Sequence, residues 1–280
     1  MSSLAVRHLW LFARQERLLA VRSRSTTIFA VVFAALALGV GGAGYILTGG
    51  TGLQDFSRTA VSLVQLVLLL VPLTALLIGV LAFTPERGAS ELVYSQPVSR
   101  ATVLVGKLLG LFLALGAAQL LGFGAAGLVM YSRGADEGFL SFVLLVASSL
   151  ALTLVFLGVA ALIAAANVGR RARALAMALV AWFVAVVLFD VVALGVASLL
   201  RSGHASRLLV GAVLVNPVDA IRTGALLGIE GDAAFGPASL AFFRILGGRT
   251  TAAALLAVSI AVWIVVPPAI AVRILQRADL

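Results

Sequence analysis

Apolar residues gather in six long runs, at 26–48, 60–83, 104–131, 139–167, 174–200 and 251–272, with short polar stretches between them. Crossing the hydrocarbon of a bilayer takes about 20 residues at about 1.5 Å of rise each, and every run meets that length. Lipid offers no water to backbone groups, so each run must form the structure that pairs its own backbone, a helix. A membrane β-barrel would instead show segments of about 10 residues with alternating polarity, and none of the runs alternates. The pattern predicts an all-α integral membrane protein with six transmembrane helices, forming a single membrane domain over residues 1–280.

The connections between the runs carry their own signals. Residues 1–25 predict a helix with Arg7, Arg14, Arg17, Arg22 and Arg24 on one half of the wheel. Leu9, Phe12 and Leu19 fall on the other half, diluted by Glu16. Such an imperfect amphipathic helix lies on the membrane surface and leads into the first span. No small-x-small cleavage site is evident, so the first run is expected to be a retained anchor. Pro72, inside the second run, removes one backbone donor there.

Segment 84–103 is longer than the link of about 2–8 residues that two helices need. Ser90 can cap a short helix, Glu91 suits its first turn, Pro97 ends it and Ser99 can cap the next span. The segment therefore reads as a short cytoplasmic docking helix between rigid turns. The longest connection is 201–249. Its apolar part, 208–215, is stopped by Asn216-Pro217. Extending it to 228 as a seventh span would bury Asp219 and Arg222. An outer-surface subdomain of one or two helices is expected instead, with a turn at Asn216-Pro217 and Asp219 capping the helix after that turn.

Composition agrees with a lipid environment. Hydrophobic residues make up 62% of the chain and charged residues 11%, with a mean hydropathy of +1.16, against about 25% charged in soluble domains. The formal net charge is +9. With the N-terminus placed in the cytoplasm, the inner side carries thirteen basic and four acidic residues, and the outer side seven Arg and six acids. This imbalance follows the positive-inside rule and marks topology, not nucleic-acid binding. Both termini are expected in the cytoplasm of a multi-pass protein.

Signals for catalysis are nearly missing. The chain has no Cys, and its two His residues, His8 and His204, fall on opposite sides of the membrane in this topology. No metal site is expected. Gly106-Lys107 has the spacing of a P-loop, but Ala101 replaces its first Gly and Leu108 its Ser/Thr. The phosphate cradle and the Mg²⁺ hydroxyl are then lost, so this chain is not expected to be an enzyme or to bind a cofactor of its own. Asp190 is the one ionisable residue deep in a span; it either holds its helix to a neighbour, protonated or paired, or marks function. Gln119 is expected to hold two helices together.

Glu86-Arg87, Glu91-Leu92 and Ser95-Gln96-Pro97-Val98-Ser99-Arg100 resemble the coupling helix of ABC-2 type transporter permeases. The resemblance covers nearly the whole chain. It implies six spans, an N-terminal elbow helix matched by Glu16, Arg22 and Arg24, and a homodimer in the bacterial inner membrane. It also implies docking on a cytoplasmic ATPase, which would hold the ATP and Mg. Glu86, Arg87, Glu91, Leu92, Tyr94, Gln96, Pro97 and Arg100 would form that contact. Asn216, Pro217, Asp219 and Arg222, with Phe235-Gly236-Pro237, Trp182 and Phe189-Asp190, are similar to the permeases that serve nitrous oxide reductase maturation. Those work with an ATPase of the NosF type and a periplasmic protein of the NosD type, which implies that 216, 217, 219 and 222 face an outer partner. Copper needs thiolate, thioether or imidazole ligands, which the spans scarcely offer, so Cu⁺ is not the expected cargo. An exporter of a drug, lipid or glycan and a non-transporting membrane scaffold remain open at this point.

Overall fold

Among the described residues, ten helices follow one another: α1 (Ser3–Arg22), α2 (Arg24–Leu47), α3 (Leu53–Phe83), α4 (Arg100–Tyr131), α5 (Phe139–Ala166), α6 (Arg171–Ser198), α7 (Ser202–Val215), α8 (Pro217–Glu230), α9 (Pro237–Leu246) and α10 (Arg249–Arg277). The structure is a computed structural model that describes residues 3–47, 53–84, 99–131, 139–231, 234 and 236–277. No strand occurs among the described residues. Five helices (α3, α4, α5, α6 and α10) are long and apolar enough to cross a membrane. Two further pairs reach that length only across a bend, of 67° between α1 and α2 and of 101° between α7 and α8. The chain is thus a multi-pass, all-helical membrane protein.

The core lies where α2, α3, α4 and α5 meet, around Phe33, Leu63, Leu76, Leu111, Phe123, Leu152 and Phe156. Apolarity alone does not draw helices together in lipid; close packing and polar links do. Glycine supplies the first. A Cβ on Gly79 of α3 would lie 2.7 Å from Ala160 Cβ of α5, and one on Gly122 of α4 would lie 2.8 Å from the Phe33 ring of α2. Polar bonding supplies the second. Buried Gln119 donates Nε2 to Thr153 Oγ1 at 2.7 Å and accepts from Ser149 Oγ at 2.8 Å, tying α4 to α5. Each such bond contributes about 0.6 kcal/mol in a membrane. Phe33, Phe123 and Phe142 add an edge-on aromatic chain across α2, α4 and α5.

The first helix seats itself by size, not by hydrophobicity. Ala13, Glu16 and Ala20, at spacings of three and four, turn toward α4, and a Cβ on Gly110 would stand 2.5 Å from the Ala13 carbonyl oxygen. Trp10, Leu11, Leu18 and Leu19 are exposed, mixed with exposed Arg14 and Arg22. These side chains suit the headgroup boundary, where apolar bodies and cationic tips are both accommodated. The bend comes at Ser23, whose Oγ accepts from Thr26 N at 3.2 Å and so opens α2.

Gly110→Leu should therefore lift α1 off α4. In a chain with no native Cys, an Ala13→Cys probe should react slowly with maleimide in the parent. Adding Gly110→Leu should speed that reaction at least about tenfold, as local opening exposes the site. Equal rates would contradict the close approach.

Candidate functional site

Two polar regions stand out, one at the cytoplasmic ends expected for α3, α4 and α10 and one halfway along α6. The first frames the docking segment. Glu86, Arg87, Glu91, Leu92, Tyr94, Gln96 and Pro97 lie outside the described residues, but both roots of the segment are described. At the leading root, Thr84 returns its hydroxyl to the Val80 carbonyl, and Lys107 of α4 donates Nζ to the Ala82 carbonyl at 3.2 Å. At the trailing root, Ser99 Oγ accepts from Thr102 N at 3.1 Å and caps α4. This cap starts the helix at Arg100, ahead of the apolar run that begins at 104. Arg100 Nη1 donates to the Leu275 carbonyl in the last turn of α10.

The last carbonyls of a helix have no helical donor and carry the negative end of its dipole. A Lys at the end of α3 and an Arg at the end of α10 answer both needs. Arg100, which the resemblance places at the ATPase contact, braces α4 against α10 through one guanidinium nitrogen. Glu16 belongs to the same neighbourhood: burial against α4 raises its carboxyl above the usual range, and the charge of Lys107 pulls it partly back. Arg22 and Arg24 flank the bend at Ser23 and are exposed.

The second region begins with a break in α6. Residues Val184–Leu188 form one wide π-turn, in which Phe189 N reaches back to the Val184 carbonyl. Wide turns interrupt the regular succession of donors and recur at functional sites. Asn216 supplies a donor there, giving Nδ2 to the Ala185 carbonyl at 2.8 Å. The same amide gives its other hydrogen to Asp219 Oδ2 at 3.0 Å, while Asn216 Oδ1 accepts from Val218 N at 3.1 Å. Every arm of the Asn216 side chain is used. Asn216, not Asp219 as expected, is the N-cap of α8, with Pro217 in the first turn where its missing N–H costs nothing.

This apex packs against α10. Ser259 Oγ donates to the Leu214 carbonyl at 2.6 Å, and Trp263 Nε1 to the Val215 carbonyl at 2.9 Å. Trp263 lies about 21 Å along α10 from Arg249, and Ala185 about 21 Å along α6 from Arg171. The α7–α8 pair therefore forms a V, bent by 101°, whose apex rests at the middle of those helices.

Asp190 comes just after the π-turn and has a partner that the charge pattern alone did not give it. Arg222 Nη1 donates to Asp190 Oδ2 at 3.1 Å, and Arg222 Nη2 lies 2.7 Å from Asp219 Oδ1. The second contact is a close ion pair that is not aligned as a hydrogen bond. The Asp219 side chain is 4% exposed, against 34% for Asp190 and 30% for Arg222. Asn216, Pro217 and Asp219 are all buried within the chain. The expectation that they present themselves to an outer partner is corrected: the N-cap and the ion pairs turn them inward. The available signal was that Asp190 is a lone acid in one apolar stretch and Arg222 the one base in the 208–228 stretch. Gly236 and Pro237 open α9, and Phe235 lies outside the described residues.

The sequence has counterparts among known proteins. The family described as ABC-2 family transporter protein matches residues 10–280. A protein of Stutzerimonas stutzeri described as a probable ABC transporter permease protein NosY is 34% identical over 228 residues, covering 79% of this chain and 82% of that one. Its namesake in Pseudomonas aeruginosa is 34% identical over 239 residues, covering 83% of this chain and 86% of that one.

Two outcomes are expected from this geometry. Arg222→Met strands two carboxylates, one of them buried, whereas Asp190→Asn leaves the Arg222–Asp219 pair whole. Arg222→Met should lower stability in detergent unfolding by about 2 kcal/mol, and Asp190→Asn by clearly less; the reverse order would contradict the asymmetry. For Glu16, the folded chain holds a proton that the unfolded chain releases in the ordinary carboxylate range. The α1–α4 contact is then strongest below that range and weakens as pH rises through it toward the raised folded value. Maleimide labelling of Ala13→Cys, corrected for the intrinsic pH dependence of the thiol, should rise across that window, and Glu16→Gln should flatten the curve.

Proposed function

The chain belongs to the ABC-2 family of transporter proteins, and from that premise we propose that it is the membrane subunit of a bacterial inner-membrane transporter driven by a separate cytoplasmic ATPase. An ABC permease implies such an ATPase partner. In this reading six helices span the membrane: α2, α3, α4, α5, α6 and α10. The helix α1 is the elbow, α7–α8 enters from the outside, and both termini are cytoplasmic. ATP and Mg²⁺ belong to the partner ATPase.

The observation that carries the reading is the bracing of both roots of the 85–98 segment, by Lys107 on the Ala82 carbonyl and Arg100 on the Leu275 carbonyl. A loose link between helices needs no such bracing. A braced one passes a push from a docked ATPase into α3, α4 and α10 together. Glu86, Arg87, Glu91, Leu92, Tyr94, Gln96 and Pro97 are the proposed contacts.

Two copies are proposed to form a C2 dimer, the commonest closed arrangement. Support comes from α6, where Leu179, Val180, Val191 and Leu194 form an exposed apolar surface on a helix that also bears Asp190. A charged pair facing lipid at this depth is costly, and a second copy across a water-filled space removes that cost. Similarity to NosY permeases supports a role in maturing the copper–sulfur site of nitrous oxide reductase, with a NosF-like ATPase and a NosD-like periplasmic protein. The cargo would be a sulfur species, or the transporter would do mechanical work on the outer partner; Cu⁺ would not pass.

The test is co-purification of the full chain with a P-loop ATPase, followed by charge reversal. Glu91→Lys should weaken the complex about tenfold, or about 1.4 kcal/mol, and reduce permease-stimulated ATP hydrolysis in parallel. Unchanged assembly and stimulation in that variant would remove Glu91 from the interface, and failure of the parent to bind any ATPase would sink the reading.

A further inference from the structure

The bonds around Arg222 differ in permanence. Its contact with Asp219 joins residues three apart on one helix and has a buried partner. Its contact with Asp190 crosses from α8 to α6, with both side chains about one-third exposed. Exposed ion pairs are screened and separate at little cost. The guanidinium thus has one fixed partner within its own helix and one detachable partner on a neighbour.

The neighbour is built to move at that level. No residue of the π-turn Val184–Leu188 is buried, and the buried side chains of α6 are Ala174 and Ala178 toward one end and Ala197 toward the other. Ala185 and Val186 of the turn rest only partly buried against the core, and Trp182 just before it donates Nε1 to the Leu69 carbonyl of α3. Polar links add to this light packing: Asn216 at the turn, and Asp190–Arg222 about 7.5 Å beyond it along α6 and about 9 Å along α8. The Asn216 link answers a backbone carbonyl inside hydrocarbon, where losing a partner is expensive. The Asp190 link joins two ions that water can solvate separately.

We propose that Asp190–Arg222 is the releasable latch of an outer gate, with the π-turn of α6 as its hinge and Asn216 as its fixed pin. Closed, the latch holds the outer half of α6 against the re-entrant pair. Open, it leaves Arg222 on Asp219 and admits water to free Asp190. These are positioning residues for transport. The proposal rests on the reading of the chain as an ATP-driven permease.

The native chain has no Cys, so a single introduced thiol reports without background. Thr223, next to Arg222 on α8 and 5% exposed, is a near-isosteric site for one. The Thr223→Cys permease, in vesicles with its ATPase, is exposed from the outer side to a charged methanethiosulfonate reagent. Labelling is compared without nucleotide and with ATP trapped by vanadate. The labelling rate should differ at least about tenfold between the two states, as expected for a gate with two populations. Asp190→Asn should make labelling fast in both states, and Asp190→Glu, which keeps the charge, should restore the difference. A purely structural Asp190 would alter stability without erasing state dependence. Equal rates in the parent, with the ATPase turning over, would overturn the latch, as would state dependence that survives Asp190→Asn. If Asp190→Asn does not assemble, the comparison of states in the parent decides alone. A parent that binds no ATPase would instead overturn the reading on which the latch rests.

Discussion

Wherever a helix is interrupted inside hydrocarbon, a carbonyl loses its donor and no water replaces it. This chain interrupts its helices at the π-turn of α6 and at Asn216-Pro217, and places Pro72 within α3. At the first two the donor comes from a different helix. Asn216 serves the Ala185 carbonyl, and Ser259 and Trp263 serve Leu214 and Val215. Near Pro72, Trp182 of α6 donates to the Leu69 carbonyl and ties α6 to α3. The interruptions are therefore also the tertiary connections. An ordinary interhelical bond in a membrane contributes about 0.6 kcal/mol. A stranded carbonyl costs several kcal/mol, so these bonds hold more firmly than their number suggests.

The same reasoning orders the molecule along α6 and α10. At the ends of α3 and α10, Lys107 and Arg100 satisfy terminal carbonyls and fasten the roots of the docking segment. Within the core, glycine and alanine let α3, α4 and α5 approach until side-chain hydroxyls and Gln119 bond across them. Toward the other side, α6 leaves the packed core and is held by polar links. The chain is most rigid where a docked ATPase would push and least packed where an outer opening would form. Force applied at one end can then be spent as motion at the other without melting the middle.

What sequence made legible was local. The apolar runs marked the long helices, Ser99 marked the start of α4, Asn216-Pro217 marked a turn, and Gln119 marked a bond between helices. Each depends on neighbours within about one helical turn or on the period of a helix. What it left out was non-local. Nothing in residues 201–249 says that their apex rests against Trp263, because contacts with a distant helix leave no mark on local composition. Charge counting gave Arg222 a side of the membrane without regard to an Asp on another helix. The seat of α1 was not legible because a helical wheel ranks side chains by polarity, whereas Gly110 selected the smallest ones.

One guanidinium between two carboxylates leaves the group with a surplus of negative charge when both are ionised. Such a surplus is tolerated at this depth only beside water or a compensating cation. Asp219 meets that demand internally, through Asn216 and Arg222. Asp190 does not, since it shares Arg222 with Asp219 and its side chain stands one-third exposed on α6. With both carboxylates ionised, its surroundings must include water even when the pair is intact. This separates the α6 face from the lipid-facing surfaces of the chain, although its apolar residues look the same in sequence. A single carboxylate decides what that face can border, and lipid is the one neighbour it rules out.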